Sequence, residues 1–217
     1  MTPPPNRFVN CLFCTPIGVK DVCLNGSEIS GTRTQRRDCW NERGLTLAQR
    51  FANQPQDPKS IFQFTQRWGP LHGNIYDNGE TFSFSIDSWI RSQIQFRESW
   101  VMVQRLQRAK RDFSWGVVTV SSLETVHVEH GPKGPILRCP DLYTFMSFEL
   151  HGNGKALRVC KRTDCPMPYF LAQHGKELYC STKCANWAQS IWKKRWHEER
   201  RKERTKARKT DGTQKAR

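Results

Sequence analysis

Two close cysteine pairs, Cys160-KRTD-Cys165 and Cys180-STK-Cys184, constrain this chain more than any other feature. Cys180 and Cys184 are four residues apart, which places them on one face of a helix, one turn from each other. At a helix start the unpaired amides and the macrodipole favour thiolate over thiol. The tight loop from Cys160 to Cys165 presents two more thiolates. Between the pairs, YFLA and KELY flank Gln173-His174-Gly175, a pattern that predicts a short hairpin.

A loop with two cysteines, a hairpin, and two cysteines opening a helix is the layout of a treble-clef zinc site. Four thiolates at about 2.3 Å fill a tetrahedral shell and leave no position for water, so the expected Zn2+ is one structural ion, not a catalytic one. His174 falls at the expected turn, and the set of four thiolates is complete without it. A module of about 40 residues buries too little to fold without such a staple.

The segment after Cys184, ANWAQSIWKKRWHEERRKERTKARK, changes character along its length. Ala188, Ile191 and Trp192 are expected to pack on the hairpin, with Trp187 and Trp196 covering the flanks. Beyond His197 the apolar residues stop while helix-forming Glu, Arg and Lys continue, which predicts a basic rod projecting past its support. The formal charge of the chain is +15, and from Asn186 to the end 12 Lys/Arg stand against 4 Asp/Glu, a local charge of +8. That concentration favours a polyanion over a small substrate. The candidate nucleic-acid contacts are Asn186, Lys193, Lys194, Arg195, Arg200, Arg201, Lys202 and Arg204, with duplex DNA the favoured partner. Trp192 and Trp196, four apart, also keep stacking on unpaired bases open, although packing on the hairpin is the preferred reading for Trp192.

The C-terminal segment resembles the CGNR-type zinc finger: YCS stands at the third cysteine, and Cys184-Ala185-Asn186-Trp187 stands where that family often has Cys-Gly-Asn-Arg. The N-terminal part, with FTQRWGPLHG followed by a long helix, is similar in order and length to the ABATE-like domain of the same bacterial proteins. The resemblance implies that Cys160, Cys165, Cys180 and Cys184 hold the metal, that Asn186 occupies the family's asparagine position, and that the protein is a DNA-binding transcriptional regulator. Ala185 and Trp187 depart from the family's glycine and arginine, which bears on sequence-specific readout.

Residues 1–44 carry Pro, Gly, Asn, Thr and Arg without apolar periodicity and are expected to form a poorly ordered leader. Cys11, Cys14, Cys23 and Cys39 lie there. The two-residue gap between Cys11 and Cys14 is a ligand spacing, but Cys23 and Cys39 are unpaired, so free thiols are preferred over a second metal site. Residues 45–54 predict a short helix, and Asp57-Pro58 cap and open a second that ends near Gly69-Pro70. Residues 72–80 read as a polar loop. Residues 86–112 form the longest periodic segment, with Trp89, Phe96, Trp100 and Val103 on one face and Ile86, Ile90 and Leu106 alongside, a core stripe. Residues 117–120, 125–129 and 136–138 predict short strands. Asp141 caps a helix that runs to the HGNGK segment, and Cys139 reads as a small buried hydrophobe.

The expected architecture is α+β and mostly α. An α-rich ABATE-like domain (45–150) with a small β element is joined near 151–157 to a treble-clef-like finger (156–205) ending in a long basic helix, then a disordered basic tail (206–217). No stretch approaches the about 18 apolar residues of a membrane span, and the first residues lack the sections of a secretory signal. A cytoplasmic protein is therefore expected, in which cysteines serve as ligands or free thiols.

His127, His130 and His151 do not stand at metal-ligand spacing, and only His174 and His197 lie near the finger, without a carboxylate pair. A His-Asn-His nuclease centre, and enzymatic activity generally, is not expected. The competing reading is a protein-interaction or metal-handling module. For the N-terminal domain a ligand sensor and a homodimer interface both stay open.

Overall fold

The computed structural model describes residues 12–13, 17–36, 46–72, 81–108, 127–131, 134–139 and 141–214. Among these the chain is a mixed α and β structure in which five helices outweigh three small sheets. Within the same residues no helix is long and apolar enough to cross a membrane.

The first departure from expectation lies in the leader. Strands β2 (Ile17–Asn25) and β3 (Glu28–Arg36) form an antiparallel hairpin, and β4 (Thr81–Ser85) adds to the free edge of β3. The turn uses Gly26 at φ 60, a left-handed conformation that costs glycine nothing. Gly31 faces Phe82 so closely that an added Cβ would sit 2.8 Å from the ring. Ile29 is fully buried, so this segment belongs to the core rather than to an unordered arm. The strands read as loop because β2 is irregular. Its register slips between Lys20 and Cys23, where Asp21 adopts φ 52, and Val19 and Val22 then both pack on the core at a spacing of three. Elsewhere β5 (His127–Gly131) pairs antiparallel with β6 (Gly134–Arg138), and β1 (Leu12–Phe13) pairs parallel with β6. Residues 72–80 and 117–120 lie outside or at the margin of the described residues.

The helices follow their caps. α1 (Leu47–Asn53) starts where the Thr46 hydroxyl accepts the Gln49 N–H at 3.1 Å. α2 (Pro58–Trp68) starts at Asp57, whose carboxylate accepts the Ser60 N–H at 2.9 Å, and stops at Gly69 with φ 87. α3 (Ile86–Arg108) carries the expected stripe: Trp89, Phe96, Trp100 and Val103 are all at most 2 % exposed. Phe51 of α1 meets Trp89 and Phe96 edge-on at 5.1 and 5.2 Å. α4 (Leu142–Gly152) starts at Asp141, whose carboxylate accepts the Thr144 N–H at 2.7 Å. Cys139 is buried, as expected, and burial pushes its thiol up to about 12.

The polar interior fixes how α1 sits. The carbonyls at its C-terminal end would be orphaned, but Gln93 of α3 donates to Phe51 and Gln54, both at 2.7 Å, and Arg97 donates to Ala52 at 2.8 Å. At the other end, the Glu149 carboxylate from α4 accepts the Ala48 N–H at 2.8 Å. Burial nevertheless outweighs these amides and raises the Glu149 pKa from the ordinary 4.5 to about 7.

The last sheet is the two-stranded pair β7 (Leu157–Val159) and β8 (Tyr169–Leu171), in the register Leu157↔Leu171, Arg158↔Phe170 and Val159↔Tyr169. Alternation divides its side chains. Leu157, Val159, Tyr169 and Leu171 join the main core, while Phe170 packs in a second cluster with Cys160 and Cys184. Asn53 of α1 holds β8 like an extra strand residue, donating to the Tyr169 carbonyl at 2.7 Å and accepting its N–H at 3.0 Å. The Trp100 indole N–H donates to the Arg158 carbonyl at 3.2 Å. The expected joint at 151–157 is thus continuous with the core, because Leu157 is fully buried in it. The final helix, α5 (Thr182–Gln214), also runs past residue 206, where a disordered tail was expected; Lys206 to Lys209 are good helix formers, whereas Thr210, Asp211 and Gly212 are not.

The Glu149 shift has a definite sign. The folded state holds a proton on Glu149 that the unfolded chain releases between pH 4.5 and about 7, so stability falls as pH rises through that window. Glu149→Gln keeps an acceptor for Ala48 and removes the titration. Urea unfolding at both ends of the window should show the wild type losing up to about 3 kcal/mol relative to the variant; parallel pH profiles would contradict the assignment.

Candidate metal centre

The strands built above place the first cysteine pair. Cys160 follows β7 directly and Cys165 lies in the loop that leads to β8. That loop closes through the Cys160 N–H to the Pro168 carbonyl at 2.7 Å and the Cys165 N–H to the Arg162 carbonyl at 3.3 Å. The hairpin therefore embraces the first pair, and the expected hairpin centred on Gln173-His174-Gly175 does not form. KELY is irregular because it bends back: the Leu178 carbonyl accepts the Lys161 N–H at 3.0 Å, and the Glu177 carboxylate accepts the Gln173 N–H at 2.9 Å. Buried Arg158 ties the same return segment to the strand by donating to the Gly175 carbonyl at 3.3 Å.

The second pair arrives at the start of α5. Ser181 acts as the cap, its carbonyl accepting the Ala185 N–H at 3.1 Å and its hydroxyl the Cys184 N–H at 3.4 Å. Cys184 thus lies in the first turn, whereas Cys180 precedes the cap and is not helical. The two still meet, because the chain entering the cap runs alongside the first turn.

All four sulfurs lie within 4.8 Å of one another. Three separations are 3.5 Å (Cys165–Cys180), 3.6 Å (Cys180–Cys184) and 3.8 Å (Cys165–Cys184). These are far longer than the about 2.05 Å of a disulfide. They match the about 3.8 Å edge of a tetrahedron whose centre lies about 2.3 Å from each sulfur. The donor set fits a metal ion, and among the described residues it is the one group of His, Cys, Asp or Glu that does.

The electrostatics agree with that reading. Burial pushes the Cys165 and Cys180 thiols up, while the Ser181 hydroxyl and the neighbouring thiols hold Cys184 down to about 7. Four thiols this close resist losing their protons together unless a cation joins them.

Beside the cluster stands a group that the sequence reading missed. Arg162, inside the Cys160–Cys165 loop, makes a two-pronged bond to Asp164 at 2.9 and 2.7 Å and lies 5.4 Å over the Trp187 ring. Asp164, and to a lesser degree Cys184, hold the guanidinium pKa above its usual value. The R-x-D spacing between two ligands was the available signal. The Arg162–Asp164 pair is neutral as a whole, and it turns the guanidinium, its positive end, toward Cys184 and the Trp187 ring.

The remaining candidates are dispersed along α5. Asn186, Lys193, Lys194, Arg195, Arg200, Arg201, Lys202 and Arg204 are all exposed. Ala188 and Ile191 are half-buried as expected, and Trp187 lies half-buried beneath Arg162. Trp192 departs from expectation: it is 65 % exposed and belongs to neither hydrophobic cluster. Trp196 is 39 % exposed, with the Arg200 guanidinium 4.5 Å from its ring centre. His174 is exposed and outside the cluster. Cys23 is exposed on β2, and Cys11, Cys14 and Cys39 carry no described side chains.

Replacing one ligand tests the centre directly. In Cys165→Ala or Cys184→Ala, metal content by elemental analysis should fall from one ion per chain to a small fraction, and protease cleavage between residues 160 and 184 should rise. The affinity loss should exceed the about 100-fold that changes outside the ligand shell cost. Unaltered metal content would place the ion elsewhere. No family model, curated protein or solved structure matches the chain, so the reading of this centre rests on its own geometry.

Proposed function

We propose that the chain is a zinc-stabilised nucleic-acid-binding protein, in which a closed four-thiolate site anchors a basic helix that contacts phosphates. Zinc is the ion of choice because four thiolates suit a tetrahedral, redox-inert dication and leave no open position for chemistry. The ligands are Cys160, Cys165, Cys180 and Cys184. A hairpin loop supplies two and a helix start supplies two, a grip shared with treble-clef sites and in keeping with the resemblance to the CGNR-type finger.

The observation that carries the proposal is the exposure of α5 beyond its anchor. Between Lys193 and Arg204 the helix bears seven Lys/Arg against three Glu, and every one of these side chains is exposed. At 3.6 residues per turn the cations surround much of the rod, so several meet a phosphate backbone at once. Such contacts supply affinity and register but little sequence information. Trp187 stands beneath Arg162 and belongs to the anchor rather than to the contacting surface.

Fluorescence anisotropy of the zinc-loaded protein with random duplex DNA checks the reading. The net excess of four cations predicts release of about three to four counterions, hence about a hundredfold loss of affinity between 50 and 200 mM salt. Chelation of the metal should weaken binding by freeing the helix start. Absence of binding at low salt would direct the search to a protein partner instead.

A further inference from the structure

Two tryptophans on the basic helix belong to neither hydrophobic cluster among the described residues, and Trp196 packs only against its helix neighbours His197 and Arg200 in the ring contacts seen there. Trp192 is the most exposed large hydrophobic side chain among the described residues, at 65 %, and Trp196 follows it by four residues at 39 % exposed. Spacing of four puts both on one face, about 6 Å apart along the axis. Isolated exposed apolar residues are ordinary, but two indoles on one helix face, inside the most cationic part of the chain, are not. Lys193 and Arg195 follow Trp192 in sequence and, at 3.6 residues per turn, lie to either side of its helix face, and the Arg200 guanidinium lies over Trp196.

We propose that Trp192 and Trp196 are a stacking platform for unpaired bases, so that α5 takes single-stranded nucleic acid in preference to duplex. This rests on the phosphate-binding reading of α5 and sharpens it. The spacing carries the choice of strand. Bases in a duplex are stacked about 3.4 Å apart along each strand, so two of them cannot reach indoles on residues about 6 Å apart along the helix axis without leaving their own stack. An unpaired strand splays its bases freely, and aromatic stacking is the commonest way proteins hold them. The cations serve both partners: Lys193 and Arg195 meet the phosphates on either side of a base on Trp192. Arg200 already lies over Trp196 and the His197 ring stands edge-on to it at 4.9 Å, so a base stacked on Trp196 joins an existing cluster of a cation and aromatic rings. Glu199 and Glu203 continue the same stripe toward the C-terminus and repel phosphate, which ends the platform at Trp196.

The test compares wild type with Trp192→Ala, Trp196→Ala and the double variant. The probes are a mixed-sequence single-stranded DNA, the RNA of the same sequence, and the matching duplex, at one salt concentration. Because both side chains are exposed, metal content and thermal unfolding should not change in the variants. Wild type should bind the single strands about tenfold more tightly than the duplex. Each substitution should cost about tenfold on single strands, the double variant about a hundredfold, and neither more than about twofold on duplex. Tighter binding of RNA or of DNA would assign the sugar preference within the proposal. Equal affinity for strand and duplex, or losses that are the same on both, would overturn the stacking platform while leaving phosphate binding intact. Failure of wild type to bind any probe would overturn both.

Discussion

A helix of 33 residues whose side chains are all exposed from Trp192 to Arg204 depends on how its base is held. Here the base is four thiols within 4.8 Å of one another, two from a hairpin loop and two from the chain entering the helix. No hydrophobic core substitutes for them: the second cluster contains Phe170, Cys160 and Cys184 as its buried members, with little else packed around. In the proposed reading an anchor of that size draws its free energy from coordination, which would link folding of the segment to metal binding. Removing the ion would free the start of α5 and leave most of the main core intact.

The anchor is directional because the hairpin that carries it is shared. One face of β7–β8 completes the main core through Leu157 and Leu171, and the other presents Phe170 to the sulfurs. Asn53 and Trp100 then fix the hairpin backbone to α1 and α3, while Gln93 and Arg97 satisfy the carbonyls that would otherwise be orphaned where α1 ends. The N-terminal part therefore sets the direction in which α5 leaves the body. That is a physical role for it that does not depend on sensing a ligand or forming a dimer.

Elements governed by local chemistry were legible in the sequence. Asp57 and Asp141 act as caps, Gly69 ends its helix, the tryptophan stripe of α3 is core, and the four cysteines converge. Each depends on residues within one or two turns of one another, or on metal-ligand spacing. The misses involve partners distant in the chain. Val19 and Val22 fall on one side of β2 only because a bulge at Asp21 breaks the alternation, and Asn25-Gly26 was the overlooked turn signal. The strand YFL pairs backward with LRV, twelve residues away, rather than forward with KELY, and spacing alone does not choose between them. Trp192 carries every mark of a packing residue except a surface to pack on, and that surface would come from residues distant in the chain. Arg162 gained its place beside Cys184 through Trp187, which lies next to it only in space.

The claim on which the account turns is that four sulfurs share one ion. X-ray absorption at the zinc edge of the metal-loaded protein measures that shell directly. The account predicts four sulfur scatterers at about 2.3 Å and no nitrogen or oxygen neighbour. A shell containing a light atom at about 2.0 Å, or fewer than four sulfurs, would contradict it, opening the coordination sphere and with it the reading of the site as an anchor.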